Sequence, residues 1–300
     1  MPDFTIRTFE PGDLLEIAAL LGEPADELQW RWSAPQFQAE TDCWVAAAPN
    51  SRIVGVTYFT LKQRESRGWG GGRVHPDYRR LGIGRRLLAK AEAGLLARRP
   101  GVSEVPMLYH LAGDDLETAH LLLKHGYEPV RQSFSMHIDL DNRRDSPPQL
   151  PEGMALRPFN VERDWQAVYA ADRAAFEANW GFDLITQEEW RHEHISRPDF
   201  DAGLWLLVYA EDAIAGFCLS YPGDGQVGHL DTMGVAAGWR RHGLGAALVS
   251  LSLHTFRRHG YAGVRLGVDA GNTVAFRLYR RLGLRIVSSG TVYRKILRNG

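Results

Sequence analysis

Val74-His75-Pro76-Asp77-Tyr78-Arg79-Arg80-Leu81-Gly82-Ile83-Gly84 is answered 161 residues later by Val235-Ala236-Ala237-Gly238-Trp239-Arg240-Arg241-His242-Gly243-Leu244-Gly245. A valine, an aromatic, two arginines and two glycines keep their spacing in both. Outward from these segments, Ile53-Val54-Gly55 matches Ile214-Ala215-Gly216 at the same offset, and Lys124-His125-Gly126-Tyr127 matches Arg281-Leu282-Gly283-Leu284 at an offset of 157. Phe4-Thr5-Ile6-Arg7-Thr8-Phe9 is echoed by Met154-Ala155-Leu156-Arg157-Pro158-Phe159. One unit is written twice in 300 residues, in line with a prior of roughly 150 residues per domain. Between the copies, Asp141 to Pro151 is polar, proline-rich and aperiodic, which reads as a linker. The expected domains are 1–140 and 152–300, with a linker at 141–151.

Each copy reads as a short strand, an amphipathic helical region (12–21, 162–178) and two strand-like runs. These runs are Trp44–Ala48 with Ile53–Leu61, and Leu204–Ala210 with Ile214–Ser220. The glycine segment follows, then a helix, a strand and a second helix. Leu87, Leu88, Ala91 and Leu95 line one face of the helix after Gly84, and Leu244, Ala247, Leu248 and Leu251 line its counterpart. Ala262–Val268 reads as a strand. Asn272 suits a helix N-cap, Ala275, Leu278, Tyr279 and Leu282 follow at helical spacing, and Gly283 suits the position just past the helix end. The fold class is α/β, with a mixed sheet in each copy.

Hydrophobic residues make up 44% of the chain, charged residues 24% and aromatics 10%, which excludes disordered and fibrous classes. With 35 basic and 36 acidic residues the net charge is -1, so no global field draws the chain to nucleic acid or an anionic membrane. Cys43 and Cys218 form neither a disulfide framework nor a cysteine-rich zinc site, and no metal is expected. No apolar signal region opens the sequence, and the longest apolar runs fall far short of the ~20 residues of a spanning helix. A cytoplasmic protein is expected.

The chemistry sits at the glycine segment. Glycines there admit a ligand to the backbone, and the unpaired N–H groups of a helix start favour an anion. Arg79, Arg80, Arg85, Arg86, Arg240 and Arg241 add charge-assisted donors for phosphate oxygens. A Walker A loop is excluded because neither copy ends in Gly-Lys-Ser/Thr. A dinucleotide fingerprint is excluded because Leu87 and Leu248 stand where its third glycine belongs.

On Val74-x4-Arg79-Arg80-x-Gly82-x-Gly84, its second copy, and Asn272-x6-Tyr279-x3-Gly283, each half resembles the GNAT superfamily of acetyl-CoA-dependent N-acetyltransferases. The resemblance spans about 280 residues. The tandem layout is similar to that of the mycothiol synthase group. The resemblance implies two tandem GNAT (acyl-CoA N-acyltransferase) folds and acetyl-CoA as cofactor. It assigns the pantetheine and pyrophosphate to Met233, Gly234, Val235, Arg240, Arg241, His242, Gly243, Leu244, Gly245, Ala246 and Asn272. In the first copy the corresponding residues are Val74, Arg79, Arg80, Gly82, Gly84 and Arg85. It also implies Tyr279 as general acid to the departing thiolate, where the residues alone read equally as a core tyrosine.

An amine attacking a thioester must lose a proton, and a positioned base contributes about 10²–10⁴-fold. His229-Leu230-Asp231-Thr232-Met233-Gly234-Val235 reads as a strand, and at period two His229, Asp231, Met233 and Val235 share a face. His229 stands where family members carry a carboxylate base; it and Asp231 are base candidates, or ordinary polar residues of a strand. In the first copy Gly68, Leu122 and Asp115 replace His229, Tyr279 and Asn272. The first copy therefore reads as catalytically degenerate and the second as catalytic.

Glu177, Trp180 and Phe182, with Trp190 beyond them, suit a groove for a cationic amine or, equally, ordinary packing. His192 and His194, at i and i+2, make no metal pair. The expected activity is direct acetyl transfer to a primary amine of a small molecule, by a monomer or homodimer. A non-catalytic acyl-CoA sensor and a protein lysine or N-terminal acetyltransferase are the alternatives.

Overall fold

The computed structural model describes residues 4–61, 67–140, 148–177, 179–180 and 185–299. In the first copy the order is β1 (Thr5–Thr8), α1 (Leu14–Leu21), α2 (Ala25–Trp32), α3 (Ala39–Asp42), β2 (Cys43–Ala47), β3 (Ile53–Leu61) and β4 (Gly68–Val74). It continues with α4 (Ile83–Ala97), β5 (Glu104–Ala112), α5 (Leu116–Lys124) and β6 (Glu128–Asp139). The second copy has β7 (Met154–Pro158), α6 (Val161–Phe176), α7 (Gln187–His194), β8 (Leu206–Ala210), β9 (Ala213–Tyr221) and β10 (Val227–Val235). It ends with α8 (Leu244–Arg258), β11 (Gly263–Asp269), α9 (Thr273–Arg281) and β12 (Arg285–Arg298).

The chain forms two compact units. One holds Met1–Arg131, Asp183–Glu193 and Thr291–Gly300; the other holds Gln132–Phe182 and His194–Gly290. In the first unit the strand order is β1-β2-β3-β4-β5, with the end of β12 beside β5. In the second it is β7-β8-β9-β10-β11, with β6 beside β11. The units interleave along the chain because β11 needs an antiparallel neighbour for its outer edge, and β6 supplies it from Gly263↔Asp139 to Asp269↔Ser133. Among the described residues, β4–β5 and β10–β11 pair in parallel.

The predicted helix stripes form the cores. Leu244, Leu248, Leu251 and Phe256 of α8 bury against Leu230, Val264 and Leu266 of the sheet. Leu88, Ala91 and Leu95 of α4 bury against Phe59, Val105 and Met107. Each such large side chain contributes about 1.5–3 kcal/mol by leaving water. Asn272 caps α9, accepting from Ala275 N at 3.1 Å, and Gly283 closes it at φ 95°.

Three local expectations shift. A 3-10 turn occupies Pro11–Asp13, so α1 begins at Leu14. The Asp201 side chain accepts from Gly203 N at 2.8 Å and bends Ala202–Leu204 into a 3-10 turn, so β8 starts at Leu206. The long strands β6 and β12 were not expected; their burial does not alternate cleanly, and a period-two reading passes over them. Among the described residues, no helix is long and apolar enough to cross a membrane.

Candidate functional site

β10 decides the geometry of the second unit. Against β9 it pairs His229↔Tyr221 and Leu230↔Ser220, then Thr232↔Leu219, Met233↔Cys218, Gly234↔Phe217 and Val235↔Gly216. Asp231 is the extra residue of a β-bulge. A bulge breaks strand alternation, so the single face expected for His229, Asp231, Met233 and Val235 does not form. Residues opposite one another in a ladder share a face. Met233 and Val235 therefore lie with Cys218 and Gly216 on the α8 side, where a Cβ on Gly216 would meet Leu248 and Leu244. His229 lies on the other side, with Tyr221, as do Thr232 and Gly234.

Asp231 joins His229 there. His229 Nε2 lies 3.5 Å from Asp231 Oδ1, and the Thr232 hydroxyl donates to Asp231 Oδ2 at 2.8 Å. Burial pushes the Asp231 carboxyl up. The hydrogen bond from His229, the nearby His194 and the Thr232 hydroxyl outweigh that and hold its pKa at about 2. His194 and Tyr221 complete the cluster: His194 Nδ1 and the Tyr221 hydroxyl are 3.0 Å apart, and Arg197 lies 3.8 Å over the Tyr221 ring. Sequence reading missed Tyr221 and Arg197, and considered His194 only as half of a metal pair. The only signal for Tyr221 was its place opposite His229, which needed the register.

Beyond the bulge a cleft opens. β10 pairs with β11 only from Val227↔Gly263 to Leu230↔Leu266. Among the described residues, its second edge has no ladder partner from Thr232 onward, while β11 continues with β6. Backbone N–H and C=O groups on such an edge are free to receive an extended ligand arm. Met233, Gly234 and Val235 form this edge.

The glycine loop sits at the end of the cleft. Arg241 adopts φ 65° and Gly243 φ 84°. A non-glycine residue at positive φ is uncommon and points to a function. Gly243 caps α8 without a side chain, which leaves the first helical N–H groups, at Leu244, Gly245 and Ala246, facing outward. Arg240 Nε donates to Val235 O at 3.1 Å, and His242 Nδ1 lies 2.8 Å from Arg240 O. Among the described residues neither Arg240 nor Arg241 has a carboxylate partner. An open cleft of about 400 Å³ lies against this helix start, lined by Pro148, Leu150, His242, Gly243, Ala246 and Ser250. Uncompensated guanidinium groups, a bare helix start and an unpaired strand edge suit an anionic ligand with a long polar arm. Acetyl-CoA has that chemistry.

Tyr279 is buried beside the same core as Cys218. Burial, reinforced by Cys218, pushes its hydroxyl well above the ordinary phenol value, so it stays protonated. Burial likewise pushes the Cys218 thiol up to about 11, which leaves no thiolate to serve as a nucleophile at neutral pH. Among the described residues no cluster of His, Cys, Asp and Glu is arranged to hold a metal.

The acceptor positions are less coherent. Glu177 and Trp180 are exposed, and Phe182 lies outside the described residues. Trp190 is fully buried in the first unit's part of the chain and is packing rather than a groove wall. In the first copy, Gly68 and Leu122 are buried and Asp115 caps α5, accepting from Thr118 N at 3.1 Å. Arg80 at φ 63° and Gly82 at φ 83° repeat the loop of the second copy; Val74, Gly84 and Arg85 hold the corresponding places.

The family described as "Acetyltransferase (GNAT) family" matches residues 165–284, and an "Acetyltransferase (GNAT) domain" matches residues 39–129. A mycothiol acetyltransferase of Thermobispora bispora is 32% identical over 232 residues, covering 74% of this chain and 74% of its own length. One from an Arthrobacter species is 30% identical over 226 residues, covering 73% and 68%. A GCN5-related N-acetyltransferase from Sphaerobacter thermophilus superposes with a TM-score of 0.80 at 29% identity, over 100% of this chain and 98% of its own. A tandem GNAT protein from the clavulanic acid biosynthesis pathway shares the fold, with a TM-score of 0.75 at 17% identity over 99% and 100%.

Proposed function

This chain belongs to the GNAT family of acetyltransferases, and from that premise we propose that its second copy moves acetyl from acetyl-CoA directly to a primary amine of a small molecule. The observation that carries this reading is the bulge at Asp231, which sets His229 and Asp231 together on the side of the sheet away from α8.

Arg240, Arg241 and the first N–H groups of α8 would hold the pyrophosphate, and the free edge of β10 the pantetheine. Acetyl-CoA supplies the thioester. His229 takes the proton of the attacking amine, and the ionised Asp231 stabilises the imidazolium that results. A main-chain N–H of β10 beyond the bulge faces the developing oxyanion. The C–S bond breaks, and Tyr279 gives its proton to the departing sulfur. Neither thiol is placed for an acyl-enzyme, since both cysteines are buried and burial raises both.

The relatives' name makes a mycothiol-type acceptor the first to try, alongside a panel of small primary amines and lysine peptides. Thiol release from acetyl-CoA measures turnover. His229→Ala is expected to lower kcat by about 10²–10⁴, and Tyr279→Phe by an amount toward the lower end of that range. If both variants keep full kcat, the assigned roles are wrong.

A further inference from the structure

We infer that the anion cradle of the first copy is closed by the chain's own Glu117, so that each chain takes one coenzyme A, in the second copy. This rests on the acetyl-CoA reading above.

The two cradles share a backbone. Arg80 and Arg241 have φ of 63° and 65°, and Gly82 and Gly243 have φ of 83° and 84°. Arg79 Nε donates to Val74 O at 3.4 Å, as Arg240 Nε does to Val235 O at 3.1 Å. They part at the neighbouring helix. Asp114, Asp115 and Glu117 open α5, where Gly271, Asn272 and Val274 open α9. Asp115 and Asn272 make the same cap, one charged and one neutral. Glu117 reaches back to the loop: its Oε2 accepts from Arg79 at 2.5 Å and its Oε1 from Arg80 at 3.5 Å. The carboxylate thus takes the guanidinium donors that a phosphate would use. At α9 the same place is held by Val274, 80% exposed, and the nearest acid of that turn, Asp269, is engaged with Gly271 N at 2.7 Å.

A diphosphate entering the first cradle must displace Glu117 and then sit beside Asp115. An exposed ion pair is individually weak, so displacement alone costs little. The displaced carboxylate stays tethered within reach, however, and like charges at that range oppose binding. The composite is a cradle with the right backbone and the wrong charge.

The test is calorimetric titration of the full chain with coenzyme A. Wild type is expected to show one site. Glu117→Val, which copies Val274, and Glu117→Gln, which keeps the size, are each expected to show a second site at least about tenfold tighter than any residual first-copy binding in wild type. The reciprocal Val274→Glu, at an exposed position, is expected to weaken the second-copy site by about tenfold. Two equal sites in wild type overturn the inference. So does a single unchanged site in Glu117→Val, or full affinity in Val274→Glu; in those cases the acetyl-CoA reading still stands. Absence of binding in every variant overturns both.

Discussion

β4 and β10 hold the same place in the two copies and differ by one residue of register. β4 pairs with β3 without a break, from Gly55↔Val74 to Leu61↔Gly68. β10 carries the extra Asp231. Everything N-terminal of that residue is turned over relative to the first copy. Gly68 therefore faces α4, where a Cβ would lie 2.6 Å from Leu95, while its sequence counterpart His229 faces away from α8. The glycine run of β4 fits its surroundings: a Cβ at Gly71 would strike the Tyr58 ring, and one at Gly70 the Tyr109 ring. Gly72 adopts φ 155° with Val56 O 2.4 Å from where a Cβ would sit. Trp32, Phe37 and Tyr58 pack together on the Tyr58 side, in place of the polar cluster around Tyr221. On the proposed reading, the position that matches His229 in sequence offers the first copy no base, for two reasons: the residue is glycine, and the position points into the core.

Removing the bulge attacks this comparison most directly. Deleting Asp231 gives β10 the register of β4 and turns His229 toward α8. Turnover is expected to fall to background, a loss at least as large as the about 10²–10⁴-fold expected of a missing base. The glycine loop lies C-terminal of the bulge and keeps its register, so coenzyme A binding is expected to persist; titration with it also reports that the unit is folded. Retained turnover in the deletion would show that register does not place the base.

The converse change asks whether residue identity alone is enough. Gly68→His writes the second copy's residue into the first, but into the space of Leu95. Overpacking of this kind typically costs about 1–3 kcal/mol. Denaturant unfolding is expected to show that loss, and a background in which His229→Ala has silenced the second copy is expected to gain no activity. Restored turnover would separate the two strands by identity and not by register.

Much of this was legible in the sequence. The repeat, the α8 and α4 stripes, the Asn272 cap and the Gly283 terminus follow from spacing, because helix periodicity and turn chemistry are local. The arginine loop was legible because positive-φ glycines and flanking cations recur together. The bulge was not: an inserted residue leaves no mark on an alternating string until its partner strand is known. That is why period two put His229 on the face of Val235, why Tyr221 and Arg197 went unnoticed, and why His194 was weighed only with His192. Glu117 was invisible for a similar reason, since its partners lie 37 and 38 residues away. The exchange of β6 and β12 depends on pairings far apart in the chain, which composition does not encode.

The smallest expected effect concerns Asp231 itself, an acid with no counterpart in β4. Its folded pKa, about 2, lies below the ordinary aspartate value of about 3.9. A carboxyl depressed on folding stabilises the native state fully above its unfolded pKa, and that contribution is lost as pH falls through the folded one. The stability difference between wild type and Asp231→Asn is therefore expected to be constant above about pH 4 and to shift toward the variant between about pH 4 and pH 2. Asp13 and Asp164, also held low by arginine partners, titrate in both proteins and cancel in the difference. Because the Asp231 side chain is a third exposed, solvent screening keeps the shift modest. A difference that stays flat through that window would mean that His229 and Thr232 do not hold the carboxylate in its ionised form, and the bulge would then present an unanchored acid.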